Sequence, residues 1–282
     1  MLLEVKRLTP NVGLEVSGID ISAPLSEQNR KTLYDAFLQS GVVLIRRQPL
    51  EPEQLIAFSS TFGNLSIHPI ESIRLKNHPE IIKLGSEGKP DAVDDGSGPA
   101  GSVIWHADMS YTTKPNIAAV LHAMAVPPKG GQTGFIDAAA AYDALPSDLR
   151  EEIEGLEVRH DFGEEIGKQL AAIKDDETCD LGTISFDPVV HPLVSVHSET
   201  GRKSLNISPL FAREVVQQTP SSKDLLERLT AFATQPEFCY LHNWEVGDTI
   251  VWDNRRTLHS APGYDRRHTR IMYRTTLESP PA

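Results

Sequence analysis

Cysteine is nearly missing from this chain. Two occur in 282 residues, Cys179 and Cys239, far apart and in no C-x-x-C pattern. That excludes a thiolate zinc cluster and gives no disulfide framework. Positive charge is also scarce: Lys plus Arg total 27 against 39 Asp plus Glu, a net −12. A phosphate backbone is repelled by such an average field, so nucleic acid is not an expected partner, and a small anion would need a local cluster of positive groups. No window reaches the ~18 uninterrupted apolar residues of a membrane span, so no membrane partner is expected either. The opening MLLEVKRLTP carries Glu4, Lys6 and Arg7 where a signal peptide has its apolar run. A cytoplasmic protein is the expectation. GxxxxGK[ST] and GxGxxG do not occur, and there is no internal repeat or low-complexity tract.

What is present has ordinary globular composition, 39% hydrophobic and 23% charged. The length allows one large domain or two smaller ones, and a single domain over 1–282 is expected. LEVSGIDI (14–21) alternates apolar and polar residues as a half-buried strand does. SEQNRKTLYDAFLQSG predicts a helix with Ser26 as N-cap and Gly41 as its stop. GVVLIRR reads as a short buried strand, and EPEQLIAFSSTFG as a second helix opened by Pro52. From Leu84 to Val103 the texture changes: GSEGKPDAVDDGSGPAGS holds five glycines, two prolines and five charged residues, and a lid loop is expected at 84–103. A second irregular insertion falls near 164–188. After Ser102 short strand signals dominate, among them IAAVLHAM, TGFIDAAAA, FCYLHNW, DTIVWDN and TRIMYRTTLE. Helical patches (139–144, 149–156, 222–234) interrupt them. The pattern predicts a mainly β sandwich or barrel with flanking helices.

WHADMSY (105–111) puts His106 and Asp108 two residues apart. On a strand those positions share a face, so imidazole and carboxylate would enter one cavity. They are two-thirds of a 2-His-1-carboxylate site for Fe(II). Candidates for the third ligand are His122, His160, His191, His197, His242 and His259. His259 stands out because Arg270 follows eleven residues later and Arg274 four beyond that, in a β-like run. Alternation sets Arg270, Met272 and Arg274 on one face, roughly 13 Å end to end by strand rise. Two guanidiniums on an inner face need anions beside them.

At this point the chain resembles the taurine/2,4-dichlorophenoxyacetate dioxygenase family of Fe(II)- and 2-oxoglutarate-dependent oxygenases. FGNLSIHP (62–69) is similar to FG-x-x-x-x-HP, WHADMSY to W-H-x-D-x-[ST]-[FY], and PKGGQTGFIDAAAAYDALP to P-x-x-GG-x-T-x-[FW] with its small-residue helix. VRHDF, WDNRRTLHSAPGYD and the His-x10-Arg-x3-Arg spacing follow in the family's order. The resemblance implies a double-stranded β-helix (jelly-roll) core with His106, Asp108 and His259 on iron. It gives Arg270 and Thr133 to the distal carboxylate of 2-oxoglutarate, and Arg274 to the substrate's acidic group or the cosubstrate's C1 end. His68 and Phe162 would line the substrate pocket. Trp105 and Trp252 are read as packing walls. The other histidines are read as structural, His197 lying at a solvated hairpin tip, and Arg255, Arg256, Arg266 and Arg267 as surface charges.

The implied reaction consumes O2 and 2-oxoglutarate, yields succinate and CO2, and hydroxylates a small organic anion: a sulfonate, sulfate ester, aryloxyalkanoate or other carboxylate. The carboxylate of Asp108 argues hydroxylation, not halogenation. Glu71 and Ser102 stand where taurine enzymes have Tyr and Asn, which argues against taurine itself. Pro209 also takes an expected aromatic position, with Phe211 displaced. A metal-dependent hydrolase or lyase could use the same His/Asp/His set but would not need Arg270 and Thr133; a non-catalytic ligand-binding jelly roll is a further alternative, against which the intact triad argues. A homo-oligomer is expected.

Overall fold

The computed structural model describes residues 3–68, 71–91, 99–163, 186–217 and 222–281. The chain is mainly β with a few helices. β1 (Glu4–Arg7) pairs antiparallel with β2 (Leu14–Ser17). The strand expected to reach Ile21 stops at Ser17, because Gly18 turns the backbone at a φ of 74°, although Ile19 and Ile21 still enter the core. Helix α1 (Glu27–Ser40) is bounded as its caps predict. The Ser26 side chain accepts from the Asn29 N–H, and Gly41 closes the last turn in the left-handed region. β3 (Val42–Ile45) leads to α2 (Pro52–Ser59), which opens with a Glu51/Gln54 capping box.

Next come β4 (Asn64–Ser66), β5 (Arg74–Leu75), β6 (His78–Ser86), β7 (Val103–His106), β8 (Ala118–Ala125) and β9 (Thr133–Asp137), then helices α3 (Ala138–Ala144) and α4 (Ser147–Glu152). β10 (Glu157–His160), β11 (Val189–Pro192), β12 (Val194–Val196), β13 (Lys203–Leu205) and β14 (Ala212–Val215) precede α5 (Ser222–Ala233). β15 (Cys239–His242), β16 (Thr249–Asp253), β17 (Thr257–Ala261) and β18 (Arg270–Ser279) complete the chain.

Among the described residues the largest sheet runs β1-β2-β3-β16-β8-β18-β6-β5, with β4 added beside β18. Its central strands are buried on both faces. Val43, Val120 and Val251 face α1 and α2 through Leu33, Phe37, Leu55 and Phe58. Leu44, Leu121, Trp252 and Met272 face the other way and meet Phe135 of β9. Double burial is why GVVLIRR shows no polar alternation. A four-stranded sheet, β15-β9-β17-β7, supplies that opposing layer. Its far face sets Ile136 and Leu258 against Ala141 of α3 and Leu225 and Leu229 of α5.

Three expectations need correction. Leu84 to Ser86 are not loop: they continue β6 alongside β18, where Gly85 pairs with Ile271. A Cβ at Gly85, whose φ is 87°, would sit 2.0 Å from the Arg270 carbonyl oxygen, so this glycine serves a close strand approach. At the other end Val103 opens β7, while residues 92–98 of the expected lid, and 164–185 of the second insertion, lie outside the described residues. His197 is no hairpin-tip residue but is buried, its Nε2 2.8 Å from Asp253 Oδ2. Nor are Arg255 and Arg256 surface charges. Arg255 spans Asp253 and Glu199, and Arg256, 1% exposed, pairs with Asp137, the residue that caps α3. Buried cations are tolerated because each has a carboxylate beside it.

Two buried histidines make stability depend on pH. His122 in β8 accepts the Leu50 N–H at Nε2 and bonds Thr249 through Nδ1, and burial pulls its pKa down to about 4. Burial brings His160 to about 4 as well. Both ordinarily titrate near ~6.5 in an unfolded chain, so between these values the unfolded state binds more protons. The stability that comes from keeping them neutral is complete above pH ~6.5 and is lost as pH falls toward 4. The urea midpoint should therefore drop across that window, and His122→Gln should flatten the drop. An unchanged slope would show that His122 is not held neutral.

Candidate metal centre

Adjacent strands bring the histidines together. β7 and β17 pair antiparallel with His106 directly opposite His259, and the two ring centroids lie 4.0 Å apart. Asp108 joins them in a way that strand alternation does not describe. β7 ends at His106, and Asp108 stands in the turn beyond, just before Met109 at a φ of 53°. The expected shared strand face is thus corrected to a strand end plus a turn. The outcome is still convergence. Asp108 Oδ1 is 3.8 Å from His106 Nε2 and Oδ2 is 3.6 Å from His259 Nε2, and the three donor atoms all fall within 4.8 Å of one another.

The protonation states suit a divalent cation. His106 Nδ1 lies 2.8 Å from the Ile104 carbonyl oxygen, which can only accept. Nδ1 therefore carries the proton and Nε2 presents its lone pair to Asp108. Burial lowers the pKa of His106, and burial with the nearby His106 takes His259 well below its ordinary value. Burial alone would raise Asp108. The Arg274 guanidinium, which also donates a hydrogen bond to it, outweighs burial and holds this carboxyl well below the usual carboxylate range. Two neutral imidazoles and one carboxylate are a donor set that fits a ferrous-type ion.

Arg274 Nη2 donates to Asp108 Oδ2, and its guanidinium lies 5.3 Å from the centre of the Trp252 ring. Its Nε is buried without a hydrogen-bond partner among the described residues. Arg270, four residues earlier on β18, is buried. Its Nε donates to the Gly131 carbonyl at 3.1 Å, and its guanidinium stands 5.8 Å from the Tyr264 ring centre. Among the described residues no carboxylate pairs with Arg270, and burial lowers its pKa. Thr133 opens β9, buried, with its hydroxyl oxygen accepting the Trp244 indole N–H at 2.9 Å.

Phe162 lies in an aromatic cluster beside the triad. Tyr111 is 4.7 Å from both Phe162 and Phe211 and 4.9 Å from Phe186, centre to centre. Phe211 meets the His106 ring edge-on at 6.2 Å. Despite Pro209 at the expected aromatic position, Phe211 therefore reaches the site. His68 is half-buried after β4, outside the three-residue donor cluster, and its carbonyl accepts from Arg74 Nε. Tyr111, Trp244, Tyr264 and Asn254 were not singled out from the sequence. Tyr111, Tyr264 and Asn254 lie inside the quoted motifs, whereas nothing local marks Trp244. Trp105 and Trp252 are walls, as expected: the Trp252 ring centre is 4.9 Å from that of His259.

Comparison with known proteins follows the same line. The profile of "Taurine catabolism dioxygenase TauD, TfdA family" matches residues 4–276. The (S)-phenoxypropionate/alpha-ketoglutarate-dioxygenase of Sphingobium herbicidovorans is 34% identical over 292 aligned positions, covering 99% of this chain and 96% of that protein. The alpha-ketoglutarate-dependent 2,4-dichlorophenoxyacetate dioxygenase of Cupriavidus pinatubonensis is 32% identical, with 95% of each chain covered. A crystal structure of AAD-2 in complex with Mn(II) and N-oxalylglycine superposes with a TM-score of 0.77 at 29% identity, covering 100% of both chains.

The packing around the site is tight at Gly134 in β9. A Cβ there would stand 2.7 Å from Trp105 Cη2 and 2.9 Å from Ser260 Oγ. Gly134→Ala should destabilise the protein by about 1–3 kcal/mol, the usual range for overpacking. A lower Tm with a shifted tryptophan emission is the expected readout; an unaltered melt would mean that Trp105 is free to move aside.

Proposed function

The chain belongs to the taurine catabolism dioxygenase TauD, TfdA family, and from that premise we propose that it is a 2-oxoglutarate-dependent iron dioxygenase hydroxylating a small carboxylate with an aromatic body. The observation that carries this reading is the pairing of a His/Asp/His donor cluster with a buried arginine, Arg270, that has no carboxylate partner among the described residues. A buried guanidinium lacking a counter-ion is costly, and a dicarboxylic cosubstrate supplies one. A hydrolase or lyase would leave Arg270 without a purpose. Supported by a family match over 4–276, the whole of 1–282 is read as one dioxygenase domain. Its two facing sheets are read as a double-stranded β-helix.

In this reading His106, Asp108 and His259 would hold the iron. When bound, the metal activates dioxygen: one oxygen atom enters the substrate as hydroxyl, the other enters succinate, and the C1 carboxylate of 2-oxoglutarate leaves as CO2. The electrons balance, since substrate and 2-oxoglutarate each give up two and O2 takes four. Arg270 grips the distal carboxylate. Thr133 helps it, because its oxygen already accepts from Trp244 and its hydroxyl proton is left to donate. Arg274 spends one N–H on Asp108 and turns the rest toward a substrate carboxylate. The rings of Tyr111, Phe162, Phe186 and Phe211 exclude water and favour a flat apolar body. Relatives named for phenoxypropionate and 2,4-dichlorophenoxyacetate support that class.

Anaerobic addition of Fe(II) and 2-oxoglutarate should produce a visible charge-transfer band, and its absence would end the oxygenase reading. Arg270→Ala should weaken 2-oxoglutarate binding roughly 30-fold or more, the loss expected when one member of a buried charge pair is removed. With O2 and ascorbate added, succinate release should be faster with aryloxyalkanoates than with taurine, alkylsulfonates or alkyl sulfates. A preference for sulfonates would overturn the substrate class while leaving the chemistry intact.

A further inference from the structure

We propose that Asn254 is a positioning residue for the metal carboxylate, fixing where Asp108 stands relative to the two histidines. The inference rests on reading His106, Asp108 and His259 as the metal centre.

Asp108 needs such a device because it lies past the end of β7, where no ladder holds its backbone. Met109 adopts a left-handed conformation, which an L residue keeps only when its surroundings impose it. The side chain of Asn254, in the turn between β16 and β17, grips Asp108 on both sides. Its Oδ1 accepts the Asp108 N–H at 2.8 Å, and its Nδ2 donates to the Asp108 carbonyl at 2.9 Å. The same Nδ2 donates to the Asn116 carbonyl at 2.9 Å, while the Asn254 backbone N–H donates to the Ile117 carbonyl.

The amide can be oriented in one sense only, since turning it over would set its NH2 against the Asp108 N–H and its oxygen against two carbonyls. It stands in for a neighbouring strand, satisfying the Asp108 N–H and carbonyl beyond the end of β7. Asn254 also precedes His259 by five residues in the same segment, so a shift of that segment carries both ligands together and keeps their spacing. Other groups steady the rest of the turn: Ser208 Oγ accepts the Ala107 N–H, and His191 Nε2 lies 3.0 Å from the carbonyls of Ser110 and Thr112. Among the described hydrogen bonds, those to the Asp108 backbone come from Asn254.

The test is a Mn(II) titration followed by the EPR signal of the free ion, at a temperature below the melting transition of every variant. Asn254→Ala should weaken Mn(II) binding by about 10–100-fold, the usual range for loss of a group that orients a ligand. Asn254→Ser, too short to span both Asp108 backbone groups, should do the same and serves if the alanine variant does not fold. Asn116→Ala removes a neighbouring buried amide but leaves the grip on Asp108 intact. It should keep the affinity within about twofold whatever it does to Tm, the span expected when no ligand-orienting group is touched. If both Asn254 variants bind Mn(II) as the unmodified protein does, or if Asn116→Ala weakens binding as much as they do, the positioning role is refuted. Failure of the unmodified protein to bind Mn(II) would instead refute the metal centre itself.

Discussion

The arrangement of this site depends on one cross-strand contact, His106 against His259. Once β7 and β17 pair in that register, two imidazoles share a buried edge. A buried imidazolium pair would be prohibitive, so both rings stay neutral and present lone pairs. That geometry leaves room for one carboxylate, Asp108, and a carboxylate there calls for the cation of Arg274. With Arg270 added, the site's own charged groups sum to one excess positive charge. A chain of net −12 thus keeps a local welcome for a small anion while its surface repels polyanions.

The two layers that enclose the site meet through a shared apolar cluster. Trp252 of the large sheet packs against Phe135 of the small one with ring centres 5.7 Å apart, and both are essentially inaccessible. Glycines set how closely strands and side chains approach around it. Gly85 lets β18 come in beside β6 at the level of Arg270, and Gly134 makes space for the Trp105 ring behind His106. Rigidity of this kind serves an oxygenase, because reacting groups must be held at fixed distances while water is kept out.

Much of this was legible in the chain. The caps of α1, the doubly buried β3 and the shared face of Arg270, Met272 and Arg274 all follow from local chemistry and period. The ordered motifs, WHADMSY and His-x10-Arg-x3-Arg above all, named the donor set. Other features could not be read this way. Arg256 looks like a surface charge in NRRTLH, and its partner Asp137 lies 119 residues away. His197 sits in a polar turn sequence, yet Asp253, 56 residues on, draws it inside. Tyr111 and Phe211 belong to segments a hundred residues apart, and nothing in either announces that they touch.

By itself the sequence determined which groups were available, where helices start and stop, which strands are covered on both faces, and the family's spacing of ligands and arginines. These are matters of near neighbours, decided by capping, alternation and side-chain chemistry. Tertiary structure alone decided that Asp108 reaches the histidines from a turn and not from a strand, that Asn254 holds it there, and that Phe211 reaches His106. Each depends on which distant backbones pair and in what register, and a register is set by the packing of whole sheets, not by any one stretch of residues.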